Sequence, residues 1–281
     1  MTPAGAGGEA ALTHVIVFTG DVAGLRAFYE QQVGLVVARE GLGWVELAPG
    51  GCALWLHTLG PRHRREIAIA LRLADLEGAI TALRAGGADV GERDNDPLFG
   101  RVAWVRDPDG RLVDLHGSGA AGAAASGGAA LGVVLGCPDL AATRAFYCER
   151  LRLTAHVDEP EEVVLETGAA PLELRPAAGG PAARVPGTTL ALTGPGDAVA
   201  YARALARRGL RLSHVARDRA DRAGAALAAD PDGNPLLLRG RVAGPAPAAT
   251  PRARSGARPR ATRPGAGARK RATPPRRRLK P

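Results

Sequence analysis

The side chains best suited to chemistry in this chain are His14, His57, Asp114 and His116, since imidazole nitrogens and carboxylate oxygens bind divalent metals and move protons. Each stands in a strand-like apolar run. Val15 to Phe18 reads as a strand, with His14, Ile16 and Phe18 on one face and Val15 and Val17 on the other. His57 lies two residues from Trp55, and His116 two from Asp114, so each pair shares a strand face. If the four converge they make a site of three nitrogens and one carboxylate. Without a metal, His57 or His116 beside Asp114 would be a candidate general base. Glu173 and Arg175 also share a face, either as a solvated pair or, if buried, as a carboxylate that needs its partner.

The elements that must position these residues occur twice. Asp21 to Tyr29 (DVAGLRAFY) returns as Asp139 to Tyr147 (DLAATRAFY), and Asp-Pro-Asp-Gly at 107–110 returns at 230–233. In each tetrapeptide proline sets the turn and Gly110 or Gly233 takes a positive φ, so a hairpin is expected. A repeat this long marks a duplicated domain. Within the first copy, Asp21 suits a helix N-cap, and Val22, Leu25, Phe28, Tyr29 and Val33 recur at helical spacing. Strands are expected at Leu35 to Arg39, Trp44 to Leu47 and Ala53 to Leu59, divided by glycines and the Pro49-Gly50-Gly51 turn. A second unit starts at Ile67 to Leu73, with Asp75 as N-cap, Leu76, Ile80 and Leu83 as its stripe, and Gly86-Gly87 as its stop. Its strands fall near Asp89, at Val102 to Val105 and at Leu112 to His116. The pattern returns from Leu131.

The expected organisation is α+β: four βαβββ modules in two domains, residues 12–117 and 130–240. A frayed start (1–11), a Gly/Ala/Ser tether (118–129) and a disordered basic tail (241–281) complete the chain. The tail holds thirteen Arg and Lys, eight Pro and no acid, so the chain's +9 leaves residues 1–240 mildly acidic, at nine less thirteen, −4. Such a tail either binds polyanions weakly or is plain solvated chain, and it lacks the aromatics of a base-stacking platform. Three cysteines without CxxC spacing and no secretory signal point to a reducing cytoplasm. No apolar run reaches membrane-spanning length.

The succession of strand, D-x-x-x-x-x-x-FY helix, three strands, second unit and DPDG hairpin resembles the vicinal oxygen chelate (VOC) superfamily. That group includes glyoxalase I, extradiol dioxygenases and bleomycin-sequestering proteins. The resemblance implies a cup-shaped sheet per domain and, where a metal is bound, ligands on the first, fourth, fifth and eighth strands. Here those slots fall on His14, Trp55, Ala68 and Asp114 in the first domain, and on Gly132, Glu173, Leu190 and Leu237 in the second. Only His14 and Asp114, and Glu173 alone in the second, could ligate. Trp55 and Trp104 fall on strands that line the cup in the family, either as core filling or as an aromatic wall.

The resemblance therefore implies a small-molecule ligand, aromatic or polyketide-like, at Trp55, His57, Trp104 and His116, in a chain that forms an internal pseudo-dimer or dimerises further. No cofactor is expected, or else a divalent Fe, Mn, Ni or Zn ion in the first domain. Three functions stay open: a non-catalytic binder, a lyase, isomerase or extradiol-type dioxygenase with a reduced metal site at His14 and Asp114, and an interaction protein localised by its tail.

Overall fold

The computed structural model describes residues 10–60, 65–117, 129–177, 187–216 and 224–240. The start of the chain, the tether up to residue 128 and the basic tail lie outside the described residues. The first half runs β1 (Ala11–Thr19), α1 (Val22–Phe28), β2 (Val37–Gly41), β3 (Trp44–Leu47), β4 (Gly50–Gly51) and β5 (Ala53–Thr58). It continues with β6 (Ile67–Arg72), α2 (Leu76–Ala85), β7 (Gly91–Asp96), β8 (Gly100–Arg106) and β9 (Leu112–His116). The second half repeats this as β10 (Ala130–Cys137), α3 (Leu140–Ala145), β11 (Ala155–Glu159), β12 (Glu162–Leu165) and β13 (Leu172–Pro176). Then come β14 (Thr188–Gly194), α4 (Ala198–Arg207), β15 (Leu212–Ala216), β16 (Ala225–Ala229) and β17 (Pro235–Gly240). The four βαβββ modules are as the repeat predicts.

Each helix starts at an aspartate whose carboxylate accepts an N–H three residues on: Asp21 from Gly24, Asp75 from Gly78, Asp139 from Ala142 and Asp197 from Ala200. The helix over 22–33 is not uniform. After Phe28 it widens into one π turn, Tyr29–Val33, and the second copy does the same at Phe146–Arg150. Sequence periodicity cannot separate a π turn from a continuing α-helix, because it inserts a single residue.

The sheets have matching order: β2-β3-β5-β1-β6-β9-β8-β7, and β11-β12-β13-β10-β14-β17-β16-β15. In each, the central strand runs parallel to one neighbour and antiparallel to the other. Alternation then sorts the side chains. Val15, Val17, Leu54, Leu56, Ile69, Leu71, Val113 and Leu115 pack under the helices with Leu25, Ile80 and Leu83. Ile16, Phe18, Ala68 and Leu112 form a separate small cluster on the opposite, helix-free face, with Trp55 and Trp104 against it.

The helix-side core is continuous between the two halves, since Leu131, Val133, Leu135 and Leu172 belong to the same cluster as Val15 and Leu47. The repeat motifs account for this. Tyr29 donates its hydroxyl to Asp230 (3.0 Å), and Tyr147 donates to Asp107 (3.3 Å). The tyrosine of each helix thus bonds the first aspartate of the other half's DPDG turn. That aspartate also accepts the N–H groups two and four residues on, which shapes the turn. The two halves are therefore joined reciprocally. Three details differ from expectation. Gly50–Gly51 is no free turn but pairs in parallel with β10, and Ala129, assigned to the tether, is buried and accepts the Gly50 N–H at 2.7 Å. Ala11, assigned to the frayed start, begins β1.

Candidate ligand-binding site

The helix-free face of the first sheet gathers most of the residues marked by their chemistry. His14 is buried there and stacks on Trp55 (ring centroids 4.5 Å apart), Phe99 (5.2 Å) and His116 (5.9 Å). Trp55 stacks in turn on Trp44 at 5.5 Å. Phe99 also lies 4.5 Å from His116, so two imidazoles, two indoles and a phenyl ring form one contiguous wall.

A β-bulge arranges its centre. Leu12 pairs with Leu71 and His14 with Ala70, which leaves Thr13 as the extra residue of β1. Its hydroxyl donates to the Ala70 carbonyl (3.1 Å) and contacts His14 Nδ1 (3.0 Å) and His116 Nε2 (2.9 Å). A hydroxyl has one proton, so with that proton on Ala70 both imidazoles donate to Thr13. His14 is then the Nδ1–H tautomer, and its Nε2 carries the lone pair. Burial, with the neighbouring charges of His116 and Arg39, lowers the His14 pKa to about 3, so the ring is neutral.

Asp114 is half-buried on the same face, opposite Trp104 on β8 and Ala70 on β6. Burial pushes its pKa up to about 7, against the pull of Arg93 and with help from Glu66 and Asp96. Trp104 covers Gly91, where a Cβ would fall 2.2 Å from the indole, so glycine is required for the ring to lie flat on β7.

The expected four-residue convergence does not form. His57 turns to the Thr58 carbonyl (2.9 Å) and to Phe18 (5.8 Å between rings), away from the His14–His116 pair. Among the described residues no group of three or more His, Cys, Asp or Glu is placed to hold a metal ion. At the family's metal slots, Trp55 and Ala68 offer no donor, and one His14 nitrogen is engaged by Thr13. This donor set does not fit a divalent ion held by the protein alone.

The second sheet differs at the same places. Glu173 is no solvated pair: it is buried and accepts both ends of the Arg239 guanidinium, one at 2.8 Å, with Arg175 Nε at 3.3 Å. Burial alone would raise its pKa, but Arg239 and then Arg175 hold it below the usual carboxylate value. Arg175 also bonds Glu162. Leu190 faces the helix-side core, and it is Ala191 that joins Val134 and Leu237 on the helix-free face.

Sequence reasoning missed Thr13, Phe99, Trp44, Glu46 and Arg39. Alternation could have found Trp44 and Glu46, which share a face of β3. Thr13 needed the bulge, and Phe99 sits in a turn, so neither had a periodic signal.

Residues 14–116 match the family described as Glyoxalase-like domain, and residues 131–238 match the Glyoxalase/Bleomycin resistance protein/Dioxygenase superfamily. The chain belongs to that superfamily, with two such domains in tandem. Comparison with curated proteins finds no match. Among solved structures, homoprotocatechuate 2,3-dioxygenase from Arthrobacter globiformis is similar at TM-score 0.64 and 16% identity, over 83% of this chain and 80% of that one. The 2,3-dioxygenase LapB from Pseudomonas sp. KL28 gives 0.59 and 14%, over 85% and 94%. The Mn(II)-bound glyoxalase from Novosphingobium aromaticivorans gives 0.60 and 17%, over 83% and 82%. At these identities the likeness shows a shared fold. Among the described residues no helix is long and apolar enough to cross a membrane.

Proposed function

We propose that this protein binds a small planar molecule, aromatic or polyketide-like, against the tryptophan and histidine wall of its first domain, without the full family metal site. One observation carries the reading: all three tryptophans of the chain, Trp44, Trp55 and Trp104, stand on the helix-free face of the first sheet, each only half-buried. Part-exposed indoles with a few fixed polar groups are the lining that small-molecule sites use. A drug-sequestering or self-resistance role suits such a site.

The test is a titration with 1,4-naphthoquinone and anthraquinone read by intrinsic tryptophan fluorescence, which reports this face alone. Saturable quenching is expected, with affinity reduced about tenfold in Trp55→Leu, the scale of one lost aromatic contact. Quenching that never saturates, or is indifferent to Trp55→Leu, would reject the reading. The alternative is a lyase, isomerase or extradiol-type dioxygenase working through a metal at His14 and Asp114. Those two donors support it; the missing second and third donors weigh against it.

A further inference from the structure

Glu46 of β3 lies directly opposite Trp55 of β5, so its side chain belongs to the same face as the aromatic wall. It is fully buried. Arg39 donates to Oε2 through Nε at 2.8 Å and Nη2 at 2.5 Å, while the buried Oε1 has no hydrogen-bond partner among the described residues. A buried carboxylate oxygen without a donor is costly, and the cost disappears when a donor arrives.

The second sheet provides an internal comparison. Its matching cross-strand pair is Val164 and Glu173, with the acid moved to the other strand. There the carboxylate is closed by Arg239 and Arg175 of the chain itself. Arg175 and Arg239 occupy the repeat positions of His57 and His116, so the first sheet has exchanged two guanidiniums for imidazoles. The acid left short of a donor is the one beside the tryptophans.

We propose that Glu46 orients the ligand, accepting at Oε1 a hydrogen bond from a neutral O–H or N–H on the rim of a planar ring laid along Trp44 and Trp55. The proposal rests on the reading above that this face is the binding face. Arg39 already balances the charge of Glu46, so a neutral donor fits there better than a second cation. Arg39, which holds Oε2, is itself 45% exposed.

The experiment is calorimetric titration of the full chain with 2-naphthol and with 2-methoxynaphthalene, which share a ring system but differ in the donor. The wild type should bind 2-naphthol about tenfold tighter, as expected of a hydrogen bond to a charged acceptor. Glu46→Leu should weaken 2-naphthol alone and bring the two within about twofold; Trp55→Leu should weaken both. Equal wild-type affinities that both fall in Trp55→Leu would overturn the role of Glu46 and leave the binding face standing. Discrimination that survives Glu46→Leu overturns the role as well. Binding of neither probe would overturn the role and the face together. Equal wild-type affinities overturn the role even if Glu46→Leu fails to fold.

Discussion

Two residues on the same face titrate in opposite senses. The unfolded chain protonates His14 below about 6.5, while the folded protein keeps it neutral down to about 3, so His14 withdraws stability as pH falls through that window. Asp114 does the reverse. Folded, it stays protonated up to about 7; unfolded, it ionises near 3.8, so stability is lost as pH rises between those values. Between about pH 4 and 6.5 the two slopes, each at most about 1.4 kcal/mol per pH unit, offset one another. Urea denaturation in the presence of a chelator should therefore separate the single variants. Asp114→Asn should gain stability with rising pH across that range, relative to wild type, and His14→Gln should lose it. Parallel curves would contradict the opposite shifts of the two groups. Sequence alternation placed these residues on the right face, but their protonation depends on how each is enclosed and on the charges around it, which alternation does not reach.

At the scale of elements, the two motifs that reveal the repeat hold the halves together. Nothing in DPDG or RAFY by itself says that each half's tyrosine bonds the other half's turn, because the contact spans 201 residues in one case and 40 in the other. The two bonds are unequal. Asp107 keeps a salt bridge to Arg111 at 2.8 Å, whereas among the described residues Asp230 keeps only the neutral Asn234 amide and its own turn. Burial raises the Asp230 pKa despite those bonds. Tyr29→Phe should cost about 1–3 kcal/mol in equilibrium unfolding, and Tyr147→Phe less. The opposite order would contradict the stronger dependence of Asp230 on its tyrosine. Strand positions, helix caps and the hairpins were legible because each has a local cause. The Gly50–Gly51 pairing with β10 was not, since a diglycine beside proline has the same composition in a free turn.

At the scale of the molecule, duplication has produced one continuous core and two unlike faces. The second face closes its carboxylate with its own arginines; the first presents indoles, two imidazoles held by one hydroxyl, and a carboxylate with an unpartnered oxygen. Residue types at the repeat positions, Trp55 against Glu173 and His116 against Arg239, already make that asymmetry visible in the sequence. What they could not show is that His57 turns away, which removes the third nitrogen from the site. The reading proposed for the first face is a ring-binding surface that holds no metal by itself. Elemental analysis of the untagged protein after equilibration with Mn, Fe, Ni and Zn and exhaustive dialysis tests it most directly. Well under one metal per chain and no rise in Tm is the expected outcome; one tightly held equivalent, with a raised Tm and lost in His14→Ala/Asp114→Ala, would overturn that reading.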